Sequence, residues 1–104
     1  MTATAEEAIQ GFKARLKQKI HPSNSSLFNN GLKTKIRILE QTPRDLPRVQ
    51  RIIDQKKAML KQSTNPIQGD ILDQELFALE WLRMILKGSD REREIWANVS
   101  KLRI

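Results

Sequence analysis

GLKTKIRIL, residues 31–39, is the segment whose reading decides the fold class. Lys33, Lys35 and Arg37 alternate with Thr34, Ile36 and Ile38. As a strand, that alternation would give a β-ribbon one basic face, because strand side chains point to opposite sides with a period of two. As a helix, Phe28, Leu32, Ile36 and Leu39 fall three or four apart and make one continuous stripe. A strand needs a partner for its backbone N–H and C=O groups, and the chain contains no second alternating segment. The β-branched Thr34, Ile36 and Ile38 favour extended structure locally, but such propensity yields to packing. The segment therefore reads as a helix. Lys33 and Arg37, four apart, share its exposed side, while Lys35 points elsewhere.

On the N-terminal side, Thr4-Ala5-Glu6-Glu7 has capping-box spacing. Ala5, Ala8, Ile9, Phe12, Leu16 and Ile20 then form one helical face that ends at His21-Pro22. HPSNSSLFNNG, residues 21–31, reads as a polar loop carrying Leu27 and Phe28. On the C-terminal side, QTPRDLP (41–47) is a turn with two prolines, and Pro47 suits the first turn of a third helix. Val49, Ile52, Ile53, Met59 and Leu60 supply its buried side, interrupted by Lys56. QSTNPIQG (62–69) is the longest cluster of helix breakers.

Asp70 reads as the cap of a fourth helix over residues 70–87. Ten large apolar residues from Ile71 through Leu86 surround nearly its whole circumference, leaving a polar strip through Asp73, Glu80 and Lys87. Such a helix is central in a bundle or covered by a partner. Gly88 suits the position past its end. Ser89-Asp90-Arg91-Glu92 repeats the capping-box spacing, and Ile95, Trp96, Val99 and Leu102 form a last stripe running to Ile104. The expectation is an all-α, single-domain bundle of about five helices over 1–104, with an almost wholly apolar central helix (70–87). A basic part (1–62) and a near-neutral, apolar-rich part (70–104) are joined by the loop 62–69.

With 104 residues, 38% of them hydrophobic and 30% charged, the chain has the make-up of one soluble globular core. It contains no cysteine, which excludes disulfides, thiolate metal sites and cysteine nucleophiles. No apolar run approaches the roughly 20 residues of a membrane span, so no membrane partner is expected. MTATAEEAIQ lacks a basic segment ahead of an apolar one, so no signal peptide is expected. Asn24-Ser25-Ser26 and Asn98-Val99-Ser100 then read as chance glycosylation matches. The expected setting is intracellular: cytoplasmic, or nuclear in a eukaryote. The net charge of +7 is uneven, with 13 Lys+Arg against 5 Asp+Glu in residues 1–62 and 6 against 7 thereafter. That asymmetry points to a polyanionic or acidic partner.

Reactive groups are sparse. The one histidine, His21, sits at a helix end, where a cation is favoured without any catalytic role. The carboxylate pairs Glu6/Glu7 and Glu92/Glu94 lie near helix N-termini, where negative charge is stabilising in any case. The glycines stand singly at 11, 31, 69 and 88, so no phosphate-cradling loop forms. No metal-ligand spacing occurs. The expectation is a protein that is not an enzyme, with no catalytic residue, metal or cofactor.

Basic pairs remain. Lys13/Lys17, Lys33/Arg37 and Lys57/Lys61 are each four apart, and one shared side would give them a phosphate-tracking surface. Arg44, Arg48 and Arg51, with Gln50, cluster where the third helix begins, as base-reading residues do in a helix-turn-helix. The two prolines and missing glycine of that turn argue against base reading. Trp81 and Trp96 lie on apolar stripes and belong to the core, leaving Phe28 in its loop to stack on a base. The leading expectation is a small basic subunit of a nucleoprotein assembly that binds the RNA or DNA backbone. The alternative is a protein–protein adaptor or regulator docking through an apolar helix face. A homo-oligomer is a further option.

Overall fold

Each helix of the computed structural model, which describes residues 3–99, begins where its first N–H groups find an acceptor or are dispensed with. Thr4 Oγ1 accepts from the Glu7 N–H and the Glu7 carboxylate accepts from the Thr4 N–H, a complete capping box that opens α1 (Ala5–Lys19). Ser25 Oγ accepts from the Phe28 N–H at 3.2 Å and opens α2 (Ser26–Gln41). α3 (Leu46–Gln62) has no side-chain cap and instead places Pro47, which lacks an N–H, in its first turn. Asn65 Oδ1 accepts from the Ile67 and Gln68 N–H groups and opens α4 (Pro66–Leu86). Ser89 Oγ accepts from the Glu92 N–H ahead of α5 (Asp90–Val99). No strand occurs among the described residues, so residues 31–39 are the body of α2, with Leu32, Ile36 and Leu39 buried.

Two helix starts differ from the sequence reading, and both by the same cause. Ser25 and Asn65 are caps hidden inside clusters of polar and breaker residues. Phe28 therefore sits in the first turn of α2 rather than in a loop. α4 begins four residues before Asp70, which leaves only residues 63–65 between α3 and α4 instead of the expected loop 62–69. The other end of α4 is as expected, with Gly88 at φ 98°, the left-handed region glycine tolerates.

α1 and α2 are antiparallel, tied at two levels by Lys13 to Glu40 (3.2 Å) and by Arg44 to Glu6 (3.1 Å). α3 and α4 are antiparallel as well, joined by Gln50 to Arg83 (2.9 Å), Lys56 to Glu75 (3.2 Å) and Lys57 to Glu80 (3.4 Å). The helices pack in the order α5–α1–α2–α4–α3, with α1 also touching α4. The result is a flattened body of 46 × 38 × 19 Å, about two helix layers thick. Its centre holds Ile9, Leu39, Ile53, Leu79, Leu82 and Ile85, all fully buried. Phe12 stacks on Trp81 at 4.2 Å, and Trp96 meets both rings edge-on. α5 reaches that cluster because Gly11 lets it approach: a Cβ there would lie 1.7 Å from the Trp96 carbonyl oxygen.

The apolar stripes are wider than the surfaces that cover them. α3 packs mainly on α4, and α5 mainly on α1 with Trp96 and Arg93 reaching Trp81 and the Ile85 carbonyl of α4, which leaves Met59 and Ile95 exposed. α4 is central along most of its second half, but Ile67 and Ile71 in its first half and Phe77 just past its middle are exposed, and it carries the buried Glu75. It is therefore less completely apolar and less completely covered than the expectation for 70–87. The expected run of the last helix through Leu102 to Ile104 lies outside the described residues.

Candidate functional site

Four of the nine candidate cations hold the helices together. Lys13, whose side chain is only 12% exposed, is bound to Glu40. Arg44 closes the end of α2, its Nη1 donating to the Leu39 and Thr42 carbonyls and its Nε to Glu6 Oε2. That hydrogen bond holds the Glu6 carboxyl below the ordinary glutamate range, with partial burial opposing it. Arg37 donates to Glu75 Oε2 at 3.0 Å, and Lys57 lies 3.4 Å from Glu80. Lys17, Lys33, Arg48, Arg51 and Lys61 are exposed and have no ion-pair partner among the described residues. α1 and α3, which carry Lys17 and Lys61, form no packed interface with each other; α2 and α4 stand between them in the packing order.

Glu75 explains why Lys56 interrupts the apolar side of α3. The carboxylate is buried on α4 and is shared by Arg37 of α2 and Lys56 of α3. It thus ties α2 and α3 to α4, which lies between them, and each charge offsets the desolvation of the other. On the far side of α2, the Lys35 ammonium lies 4.6 Å from the Phe77 ring centre. Burial, and then the nearby Lys19 charge, pushes the Lys35 ammonium below the ordinary lysine range, against the opposing pull of Asp70.

Between the first turns of α2 and α4 the surface is concave. The cleft has a volume of about 520 Å³, within the range of ligand sites. Its α2 wall carries Leu27, Thr34, Lys33 and Arg37, and its α4 wall carries Ile67, Ile71 and Gln74. A second hollow of about 320 Å³ on the Phe28 and Lys35 side shares Leu27, Gly31, Asp70 and Gln74 with it. Gly31 marks the close crossing: a Cβ there would lie 3.3 Å from the Gln74 side chain. The apolar residues are displayed rather than tucked in, with Leu27 65%, Ile67 70% and Ile71 43% exposed.

Leu27 and Ile67 are the site residues that the sequence reading placed in loops. The signal for both is local: Ser25 is a serine cap ahead of Leu27, and Asn65-Pro66 is a cap followed by an N1 proline ahead of Ile67. No His/Asp/Glu grouping able to hold a metal ion is present among the described residues, and no helix among them is long and apolar enough to cross a membrane. No family model, curated protein or solved structure matches the chain.

Proposed function

We propose that this is a non-enzymatic docking module that binds another protein in the cleft between α2 and α4. The observation that carries the reading is the grouping of Leu27, Ile67 and Ile71, large and exposed, in one concavity. Single exposed apolar residues are ordinary on a protein surface, but a concave group rimmed by polar residues is the form that interaction sites take. The cations support it from the other direction, because Lys13, Arg37, Arg44 and Lys57 serve contacts within the bundle. The test is a comparison of wild type with Ile67→Glu as bait in extract of the source cells, before and after nuclease treatment. A partner held by wild type, resistant to nuclease and lost with Ile67→Glu, is expected. The same partners on both baits would refute the reading.

A second reading, contact with nucleic-acid backbone, is favoured by one observation: Lys17, Lys33, Arg48, Arg51 and Lys61 are exposed and have no ion-pair partner among the described residues. Binding of that kind weakens steeply with salt, and Arg48→Ala would make the dependence shallower by about one unit on every sequence alike. A loss confined to one preferred sequence would indicate base reading by the start of α3.

A further inference from the structure

We infer that the occupant of the α2/α4 cleft is an acidic amphipathic α-helix, with its apolar side on Leu27, Ile67 and Ile71 and its carboxylates on Lys33 and Arg37. The inference rests on the docking reading above and names the chemistry of the partner.

Shape argues for a helix. Both walls are helical stripes, and the α2 wall runs ten helical steps from Leu27 to Arg37, about 15 Å at the helical rise. That length matches two to three turns of a bound helix, which would lay side chains at i, i+3 or i+4 and i+7 along it. An extended peptide would need a free sheet edge, and none exists among the described residues.

Charge argues for carboxylates. Lys33, Lys35 and Arg37 line the two hollows, against the single carboxylate Asp70. Lys33 has no ion-pair partner among the described residues. Arg37 gives one hydrogen bond to Glu75, yet its side chain remains 49% exposed. A guanidinium has five N–H donors, so most of them remain for a ligand. Glu75 meanwhile fixes the group in place, which lowers the ordering cost of binding. The field of the whole chain, at +7, draws an acidic partner in from a distance.

The same facts set aside the other occupants. A second copy would bring the same patch, and hence the same cations, against itself in a two-fold interface. A nucleic-acid backbone would meet the cations but leave Leu27, Ile67 and Ile71 without apolar contact.

The experiment uses three fourteen-residue peptides, held helical by side-chain crosslinks, with identical leucines at i, i+4 and i+7. Their flanking positions are all glutamate, all glutamine or all lysine. Each is titrated into the isotope-labelled full chain at low and high salt, with amide shifts as the readout. The glutamate peptide is expected to move Leu27, Thr34, Ile67 and Ile71 and to bind about tenfold tighter than the lysine peptide, the gap closing as salt screens it. Lys33→Glu is expected to weaken the glutamate peptide about fivefold and to improve the lysine peptide. Ile67→Glu should weaken all three by about tenfold or more, and both substituted residues are exposed, so the fold persists. Equal binding of all three peptides at the cleft would overturn the acidic partner and leave the docking reading standing. Cleft shifts driven by the protein's own concentration would assign the site to a second copy and overturn the inference. Silence from every peptide at millimolar concentration, with shifts from a short duplex oligonucleotide instead, would overturn the inference and the docking reading together.

Discussion

Replacing Gly11 with alanine sets two opposite effects against each other, and the structure decides which wins. Gly11 lies inside α1, where alanine is the better helix former by about 1 kcal/mol. On propensity alone the variant would be more stable. The added methyl, however, would sit 1.7 Å from the Trp96 carbonyl oxygen, half of the 3.4 Å at which ordinary contact begins. The atom it meets is backbone, so no side chain can swing aside. α5 must lift away from α1, at an overpacking cost of about 1–3 kcal/mol. Lifting also weakens the contacts of Trp96 with Phe12 at 4.7 Å and with Trp81 at 5.8 Å. Each such aromatic pair contributes about 0.5–1.5 kcal/mol beyond its buried area. The expected net effect, combining these terms with the gain in helix propensity, is a loss of about 1–5 kcal/mol. Urea titration followed by tryptophan fluorescence reads it, since Trp81 and Trp96 are the only tryptophans and both lie in the affected cluster. If α5 detaches in the native state instead, the slope of the transition should fall as well, because less surface remains to be exposed. A Gly11→Ala midpoint equal to or above that of wild type would refute the close packing of α5 on α1.

Leu79→Ala removes a fully buried side chain from α4 and should cost about 2–5 kcal/mol in the same titration; a loss under about 1 kcal/mol would mean that α4 is not the packed centre. Glu75→Ala leaves Arg37 and Lys56 without their shared carboxylate and should cost about 1–3 kcal/mol, with Glu75→Gln milder because an acceptor remains; equal stability of all three proteins would remove the clamp from the account. Because Arg44 depresses the folded pKa of Glu6, the stability drawn from that pair is complete above the ordinary glutamate pKa and is lost as pH falls through the lower folded value. Glu6→Gln should accordingly flatten the acid limb of a stability–pH profile, by a small amount that shrinks in salt because both groups are partly exposed; an unchanged limb would contradict the pair.

The helical fold was legible because its evidence is periodic and local. Phe28, Leu32, Ile36 and Leu39 outweigh the alternation of Lys33, Lys35 and Arg37, since a strand without a partner has no place for its backbone groups. Helix starts were harder to read. Ser25 and Asn65 cap helices from within polar, breaker-rich stretches, so Leu27 and Ile67 read as loop residues although both are helical. The basic pairs could be found by spacing, but which cations are already spoken for depends on partners far along the chain: Arg37 meets Glu75 and Arg44 meets Glu6, each 38 positions away. The cleft was invisible for a different reason. It exists because α2 crosses α4 near Gly31 and leaves Leu27, Ile67 and Ile71 uncovered, a matter of helix placement that no single stripe encodes.

The most direct test of the docking reading is amide hydrogen exchange of the chain with and without the partner it retains from extract. The expected result is added protection confined to residues 26–37 of α2 and 66–75 of α4, the two walls of the cleft. Protection concentrated instead on α3 around Arg48, Arg51 and Lys61, with nucleic acid in the complex and the cleft unchanged, would contradict it.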